Sequence, residues 1–300
     1  MPFSICPFYY GGCQMQARIL KGRDEFEEAA KLANTVFQRE GRSPMEAAFP
    51  HIYSEVTSHS YGMFADNRLV SFIGFVLSVV AVGEARLGDY SIGSVCTHPD
   101  YAGKGCASEL LRRVMRHADG AGASLILVSG NRPLYTRFGC YPFGAFARYR
   151  IDQEAAQSIA AERFDDTCIR LMEDTDLFAL HRLHAIRSVR YDRSIWRSYS
   201  PTYSGTICIV NPARLLEQAE PYLRGKDESA FSRLSIERGG EPGHVIVACE
   251  GVQATFTDSE LVSLLFDASP KLPDMDQAGA KSLQRLFPLP FPYVAGLNYI

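Results

Sequence analysis

Hydrophobic residues recur at helical spacing in two segments of the first half of the chain. Residues 24–39 carry apolar side chains three or four positions apart, and residues 107–118 repeat that spacing. A helix with this pattern buries one face and leaves the other in solvent, so both segments predict amphipathic helices. Asp24 is suited to begin the first helix, because its carboxylate can accept the free N–H groups of the first turn.

Strands are predicted between and after these helices, where β-branched and aromatic residues dominate. Asp66-Asn67 favours a tight turn between two strands, and Pro99 ends another, since proline cannot donate to a ladder. This order of strands and helices predicts an α/β fold with a mixed, mostly antiparallel sheet and helices on both faces. The predicted strands are residues 61–65, 68–82, 84–97 and 124–128, with a strand pair in 141–151.

The second half of the chain continues to alternate helical and strand patterns, and it predicts a second, smaller α+β domain. No internal repeat or low-complexity segment appears in it. The predicted helices are residues 169–187, 212–223 and 258–266, and the predicted strands are 206–210, 244–249 and 253–256.

Composition favours two domains, since 300 residues exceed one core of ordinary size and 46% hydrophobic residues suffice for two. The net charge of −3 does not indicate a basic surface that binds nucleic acid. The sequence also has no basic amphipathic run that would bind a membrane surface. The first residues lack the basic start and apolar core of a secretory signal. The longest apolar run, residues 69–82, is shorter than the roughly 20 residues that cross a bilayer. We therefore expect a cytoplasmic protein with neither nucleic-acid nor membrane partners.

The eight cysteines form no C-x-x-C pair and show no regular spacing, so neither a zinc site nor a disulfide framework is predicted. We interpret them as reduced, buried thiols. They are Cys6, Cys13, Cys96, Cys106, Cys140, Cys168, Cys208 and Cys249.

A glycine-bearing turn precedes the second amphipathic helix. Gly103 and Gly105 stand among small residues just before the helix begins. The first turn of a helix leaves about four N–H groups without intrahelical partners, and small residues let an anion approach them. Lys104 adds a positive charge. The turn therefore suits a pyrophosphate, although two glycines before a helix also fit a plain strand-to-helix turn.

The order of elements over residues 91–138 resembles the GNAT superfamily of acetyltransferases, which has a V-x-x-H-P-x-Y segment, a G-x-G turn, a helix, a strand and then L-Y-x-R-x-G. One position departs from this pattern, because Ala102 stands where the superfamily usually has Arg or Gln, and we expect a weaker cofactor contact there. The matching residues are Val95, His98, Pro99, Tyr101, Gly103, Gly105, Ala107, Leu134, Tyr135, Arg137 and Gly139.

The resemblance implies an acetyl-CoA site and no metal. In such enzymes two strands splay at a bulge, and the pantetheine arm pairs with the first strand at the positions of Val95, Cys96 and Thr97. The pyrophosphate lies on the turn, mostly against backbone amides. The turn residues implicated are Gly103, Lys104, Gly105, Cys106, Ala107 and Ser108.

Tyr135 is the catalytic residue implied by the resemblance, since superfamily members often use a tyrosine after the second strand to protonate the departing coenzyme A thiolate. A thiol with an ordinary pKa of about 8.5 and a phenol of about 10 are close enough for proton transfer in an organised site. The alternative is a tyrosine that only packs in the core. Cys96 and Cys106 lie in the same region, and we favour a structural role for both.

A narrower likeness is to the enhanced-intracellular-survival family, whose GNAT domain is joined to a sterol-carrier-like domain and whose terminal carboxylate enters the active site. It rests on residues 190–196 and on the closing segment, and it implies the Ile300 carboxylate as general base. The predicted division is a GNAT domain at 1–150, a linker or degenerate GNAT remnant at 151–203, and a sterol-carrier-like domain with the tail at 204–300. This middle portion is too short for the full second GNAT copy of that family.

These observations predict a GNAT-type N-acyltransferase that moves an acetyl group from acetyl-CoA to a primary amine by direct attack in a ternary complex. The alternative is a non-catalytic acyl-CoA or lipid-binding sensor. The acyl chain, the acceptor and the oligomeric state, a homo-oligomer included, stay open. Other candidate bases, each more simply a structural or solvated residue, are His51, Glu55, His59, Glu84 and Asp89.

Overall fold

The computed structural model describes residues 8–10, 13–37, 43–56, 58–143, 173–176 and 206–289. The chain divides into two compact units, one formed by Met1–Gly144 with Ser204–Ile300 and the other by Ala145–Tyr203. In the second unit, only a short 3-10 turn at Asp174–Asp176 is described. Several predicted features lie outside the described residues: most of the strand pair predicted at 141–151, most of the helix predicted at 169–187, the 190–196 segment and Ile300. The predicted three-part division stays a prediction.

The first unit contains an eight-stranded sheet in the order β1-β2-β3-β4-β5-β6-β8-β7. β5 and β6 run parallel and the other neighbours are antiparallel. This confirms the predicted mixed, mostly antiparallel α/β fold. The strands are β1 (Phe8–Tyr10), β2 (Cys13–Ile19), β3 (Tyr61–Ala65), β4 (Arg68–Val82), β5 (Ala85–Thr97), β6 (Leu125–Val128), β7 (Cys140–Pro142) and β8 (Thr206–Ile209).

Helices cover both faces of this sheet, as predicted, and each face has its own core. The α3 face buries Leu110, Leu111 and Val114 against Tyr90 of β5, and the α1 face buries Phe26 against the other side of the sheet. The helices of the first 143 residues are α1 (Gly22–Phe37), α2 (Met45–Ala48), α3 (Cys106–Gly120) and α4 (Pro133–Thr136).

The hairpin of β3 and β4 forms where the sequence predicts it. Asp66 and Asn67 adopt positive φ angles of 47° and 63°, which a two-residue hairpin turn requires and which Asn and Asp tolerate better than most residues. β4 then pairs with β5 along most of its length. The β4·β5 hairpin is therefore the central feature of the sheet.

β8 comes from the range predicted to form the second domain, yet it inserts between β6 and β7. The next helix, α5 (Pro212–Phe231), also packs on the sheet. The Gln218 side chain accepts a hydrogen bond from the Gly88 N–H at 2.8 Å and donates to the Gly122 carbonyl at 3.2 Å. The large sheet therefore includes a strand that begins 78 positions after β6 ends.

A small antiparallel sheet follows, in the order β11-β10-β9. Arg238 ties it to the large sheet, because the guanidinium donates to the Ile209 carbonyl at 3.0 Å and pairs with Asp258. β9 and α7 were not predicted from the sequence. The elements are β9 (Leu234–Arg238), β10 (His244–Cys249), β11 (Val252–Thr257), α6 (Asp258–Phe266) and α7 (Gln277–Leu286). Every helix in the described ranges is too short or too polar to cross a bilayer.

A polar cluster fastens the end of α3 to the sheet. The Tyr90 hydroxyl lies 3.0 Å from His59 Nδ1 and 3.4 Å from His117 Nε2, and the Tyr61 hydroxyl lies 3.1 Å from His117 Nδ1. Burial lowers the pKa of His117, and the neighbouring His59 lowers it further. His117 is therefore held neutral and acts as a bridge between strands and helix.

Asp89 is a fully buried carboxyl group in β5. Its Oδ2 accepts a hydrogen bond from the Ser78 hydroxyl at 2.8 Å, whereas Oδ1 makes no hydrogen bond of normal geometry within the part of the chain that the structure describes. Burial raises the pKa of Asp89 to about 7, against partial lowering by Ser78 and by backbone groups of Leu127 and Tyr90. A carboxyl group in such surroundings is stable mainly in its protonated form.

The raised pKa of Asp89 predicts that the stability of the protein depends on pH. Its folded-state pKa lies above the unfolded value of 3.8, so the folded state retains a proton that the unfolded state loses. The free energy of unfolding should therefore fall, by on the order of a few kcal/mol, as the pH rises from about 4 to about 7. Asp89→Asn should remove this slope in urea titrations repeated across that range.

Glu84→Gln is the matched control, because Glu84 is exposed in the β4–β5 turn. It should keep the slope of the wild-type protein. A slope that is equal in the wild-type protein and in Asp89→Asn would contradict the assignment.

Candidate functional site

The candidate site begins where β5 and β6 part. The two strands pair in parallel from Asp89 with Leu125 to Ile92 with Val128, and the Ser129 N–H still donates to the Ile92 carbonyl at 3.2 Å. β6 ends there, while β5 runs on to Thr97 paired with β4. The backbone of the last β5 residues thus keeps one neighbouring strand and diverges from the other.

A β-bulge lies at the start of this divergence. The β4·β5 register shifts between Phe72↔Cys96 and Gly74↔Gly93, so β5 contains one extra residue there. Ser94 has a φ angle of +49°, which is uncommon and costs of order 1 kcal/mol or more for a residue with a Cβ. A bulge bends a strand and re-aims its side chains.

The bulge reverses the faces of the following residues. Ile92 belongs to the core on the α3 face, and unbroken alternation would place Cys96 on that face too. Instead, Cys96 belongs to the core on the α1 face, and Val95 packs on the α3 side. Ser71 fixes the end of β5, since its hydroxyl lies 2.9 Å from the Cys96 carbonyl and 2.7 Å from the Thr97 hydroxyl.

Two buried hydroxyls meet behind the bulge. Neither the Ser94 hydroxyl nor the Tyr53 hydroxyl makes a hydrogen bond of normal geometry among the described residues. Burial raises the pKa of Tyr53, and the nearby Ser94 hydroxyl offsets this only in part. Tyr53 stacks on Phe72 and lines a cleft of about 670 Å³ between α1 and residues 46–56. Neither hydroxyl was predicted from the sequence, although Gly93 inside a strand is a signal for a bulge.

The turn after β5 is built by two glycines in left-handed conformation. Gly103 and Gly105 have φ angles of +73° and +80°, and a Cβ added at either would meet open space. Gly105 is the N-cap residue of α3, and none of the described side chains caps the helix. The N–H groups of the first turn of α3 are therefore left for another acceptor.

The charges near this turn favour an anion. Glu109 in the first turn is paired with Arg113 at 2.9 Å and with Arg112, so its carboxylate is neutralised. Lys104 Nζ lies 4.5 Å from the centre of the Tyr101 ring. Open space at both glycines, an uncapped helix start and a lysine together fit a pyrophosphate group.

Tyr135 lies in α4, after β6. It is 5% exposed and shares the α3-face core with Cys106 at the start of α3. Gly130 leaves room for the Tyr135 ring, because a Cβ at residue 130 would lie only 3.3 Å from that ring. Burial raises the pKa of Tyr135 to about 12, although Arg132 lowers it in part. The phenol is therefore protonated at neutral pH and can donate a proton but not accept one.

The two cysteines of the site are poorly suited to nucleophilic chemistry. Burial raises the pKa of Cys96 to about 12, and it also raises the pKa of Cys106 despite the positive charge of Lys104. Both groups are thus neutral thiols near pH 7, and the thiolate is the reactive form. Their buried positions favour the structural interpretation.

The candidate bases are scattered. Asp89 is enclosed in the sheet, His59 belongs to the cluster at the end of α3, and Glu84 lies in the exposed β4–β5 turn. Glu55 lines the same cleft as Tyr53. Among the described residues, no group of three or more His, Cys, Asp or Glu side chains is arranged to hold a metal ion.

Residues 17–143 match the family model of the acetyltransferase (GNAT) domain. The match covers less than half of the chain, and for this segment it supports acyl transfer in general. A search of the curated proteins finds no match.

Solved structures with this type of fold include several acyltransferases. A probable N-acyltransferase from Enterococcus faecalis is 21% identical over 43% of this chain and 32% of its own, with a TM-score of 0.39, so the chain spans about a third of that protein. A GNAT family acetyltransferase from Brucella melitensis, solved with acetyl-CoA, is 24% identical over 43% of this chain and 83% of its own, with a TM-score of 0.37. Eis1 from Mycobacterium abscessus is 12% identical over 91% of this chain and 61% of its own, with a TM-score of 0.37.

The left-handed conformation of the N-cap residue Gly105 predicts that a substitution there lowers the stability of the protein. Gly105→Ala should lower the free energy of unfolding by about 1 kcal/mol, because a Cβ at a φ angle of +80° is strained even in open space. Gly120→Ala is the control within the same helix, since Gly120 also faces open space and has no positive φ. It should leave stability unchanged or raise it. Equal effects of the two variants in urea denaturation would contradict this conformation of Gly105.

Proposed function

We propose that this protein is an N-acetyltransferase that transfers the acetyl group of acetyl-CoA to a primary amine in a ternary complex. The observation that carries the proposal is the uncapped start of α3 at Gly105, which lies directly after the strand that diverges from β6. Within a GNAT domain, this combination offers one strand edge for an extended chain and one helix start for a pyrophosphate.

The donor is proposed to bind along β5 and the turn. Backbone groups of Val95, Cys96 and Thr97 pair with the amide groups of the pantetheine arm, in the way a further strand would pair. The N–H groups from Gly103 to Ser108 receive the pyrophosphate, and Lys104 supplies a positive charge. Ala102 provides no guanidinium, so these backbone donors supply most of the affinity. The bound cofactor supplies the activated acetyl thioester.

Two groups of the chain are proposed to stabilise or neutralise the negative charges that form during acetyl transfer. Backbone N–H groups near Cys96 and Thr97 stabilise the oxyanion that forms at the thioester carbonyl. Tyr135 donates a proton to the leaving thiolate. Its pKa of about 12 is above that of an ordinary thiol, but burial also raises the pKa of Cys106 in the same core and, in the core on the α1 face, that of Cys96 to about 12. A thiolate released in this environment is therefore basic enough to take the proton.

The acceptor amine is proposed to lose a proton to a carboxylate before it attacks. An amine with a pKa near 10.4 must lose a proton before attack. By resemblance, the Ile300 carboxylate is the proposed base, brought in by a sterol-carrier-like domain at 204–300. Glu55 is the alternative, because it lines the cleft that reaches Tyr53.

We infer a cytoplasmic enzyme whose partners are acetyl-CoA and the amine acceptor. The free, buried thiols of the described residues suit a reducing compartment. The alternative function is a non-catalytic acyl-CoA or lipid-binding sensor, which the Ala102 position favours, since a weakened donor site is compatible with sensing.

Calorimetric titration with acetyl-CoA tests the donor site. The wild-type protein should bind with a dissociation constant in the micromolar range, and replacing Gly103 and Gly105 together by valine should abolish the heat of binding, because branched side chains would fill the space meant for the pyrophosphate. Circular dichroism melting checks that the double variant is folded at the titration temperature. Unchanged binding in a folded double variant would place the cofactor elsewhere.

Tyr135→Phe tests the catalytic role. The variant should lose about 100-fold in kcat, since general acid catalysis typically contributes 10²–10⁴-fold, while its acetyl-CoA affinity stays unchanged. Free thiol released from acetyl-CoA in the presence of a panel of amines provides the assay. An unchanged kcat would mean that Tyr135 only packs in the core. Binding of acetyl-CoA without turnover in the wild-type protein would favour the non-catalytic sensor.

A further inference from the structure

Two cysteines lie directly opposite each other on neighbouring antiparallel strands. Cys140 of β7 is the register partner of Cys208 of β8, followed by Tyr141 with Ile207 and Pro142 with Thr206. Side chains of directly opposed residues project from the same face of a sheet. The two thiols therefore face each other although 68 positions separate them in the sequence.

The proline in β7 identifies the type of pair. Pro142 has no N–H to donate to Thr206, so Pro142 and Thr206 form a non-hydrogen-bonded pair. The two types of pair alternate along an antiparallel ladder, which makes Cys140 and Cys208 a non-hydrogen-bonded pair as well. The Cα atoms of such pairs are about 4.5 Å apart, within the 4.4–6.8 Å that disulfides span.

The surroundings show that the thiols interact. The hydrogen bond with Cys208 is the largest cause that raises the pKa of Cys140. Cys140 is fully buried, and Cys208 is 8% exposed. Cys208 Sγ lies 3.8 Å from the Phe138 carbonyl, which it approaches as a weak donor. Cys208 is therefore the sulfur that a reagent from solvent meets first.

We propose that Cys140 and Cys208 form a reversible disulfide by exchange with a low-molecular-weight disulfide. The Cys208 thiolate attacks one sulfur of that disulfide, forms a mixed disulfide and releases one small thiol. Cys140 then loses its proton and attacks the Cys208 sulfur, which releases the second small thiol. In sum, two protein thiols are oxidised to one protein disulfide, and one small disulfide is reduced to two thiols.

The bridge closes a covalent loop around the whole segment between the two cysteines. That loop contains Ala145–Tyr203, the second compact unit of the chain. The bridge also lies in the same core cluster as Tyr135, whose pKa Cys140 influences. Oxidation therefore links β7 to β8 covalently beside the proposed catalytic tyrosine. This inference does not rest on the acetyltransferase activity.

The test is oxidation of the folded, full-length chain with oxidised glutathione. The intact mass should fall by two hydrogen atoms, and peptide mapping after alkylation should find Cys140 joined to Cys208. Closing a loop of this length should raise Tm by about 5 °C or more, and dithiothreitol should reverse both changes.

Matched variants separate this pair from the other buried thiols. Cys140→Ser and Cys208→Ser should each abolish the bridge and the shift in Tm. Cys249→Ser should keep both, because Cys249 is equally buried but lies in β10, beside the Ala230 carbonyl. Glutathione adducts alone, a bridge between other cysteines, or unreacted thiols in the folded wild-type protein would overturn the proposal. The mapping of the wild-type protein decides the question even if a serine variant fails to fold.

Discussion

The hydrogen bonds of β5 are the constraint on which the rest of the site depends. From Asp89 to Ile92 β5 has a strand on each side, and from Gly93 onward it keeps β4 but parts from β6. Backbone N–H and C=O groups away from water must find partners, so a strand that loses a neighbour inside a sheet needs either solvent or a ligand beside it. The bulge, the glycine turn and the position of Tyr135 each follow from where this parting occurs.

β5 also contains several features that lower the stability of the folded state. It contains a buried carboxyl group at Asp89 and a left-handed residue at Ser94, whose hydroxyl makes no well-formed hydrogen bond to any described residue. Strained backbone and poorly satisfied polar groups persist only where the surroundings determine them, and they cluster at functional sites. The long pairing with β4 provides that support, because it holds both ends of β5 in register around the bulge.

Much of the fold could be predicted from local patterns, and the rest could not, for identifiable reasons. Residues 61–65 and 68–82 were predicted as strands with the bounds observed, since a turn signal at Asp66-Asn67 separates two hydrophobic runs. The glycine turn could be predicted because small residues precede an amphipathic helix. The insertion of β8 beside β6 could not be predicted, since a strand of four residues does not specify a distant partner. The Ser94–Tyr53 contact joins positions that only the folded sheet brings together.

The insertion of β8 also decides when the domain can be completed during synthesis. The ribosome makes β6 and β7 more than 60 residues before the strand that must lie between them. Until then, the edge of β6 has no antiparallel partner, and a chain that ends at residue 143 would expose it as a template for pairing with other chains. Residues 17–143, which match the domain model, are therefore not a complete folding unit, and a fragment cut at that boundary loses the strand that closes its own sheet.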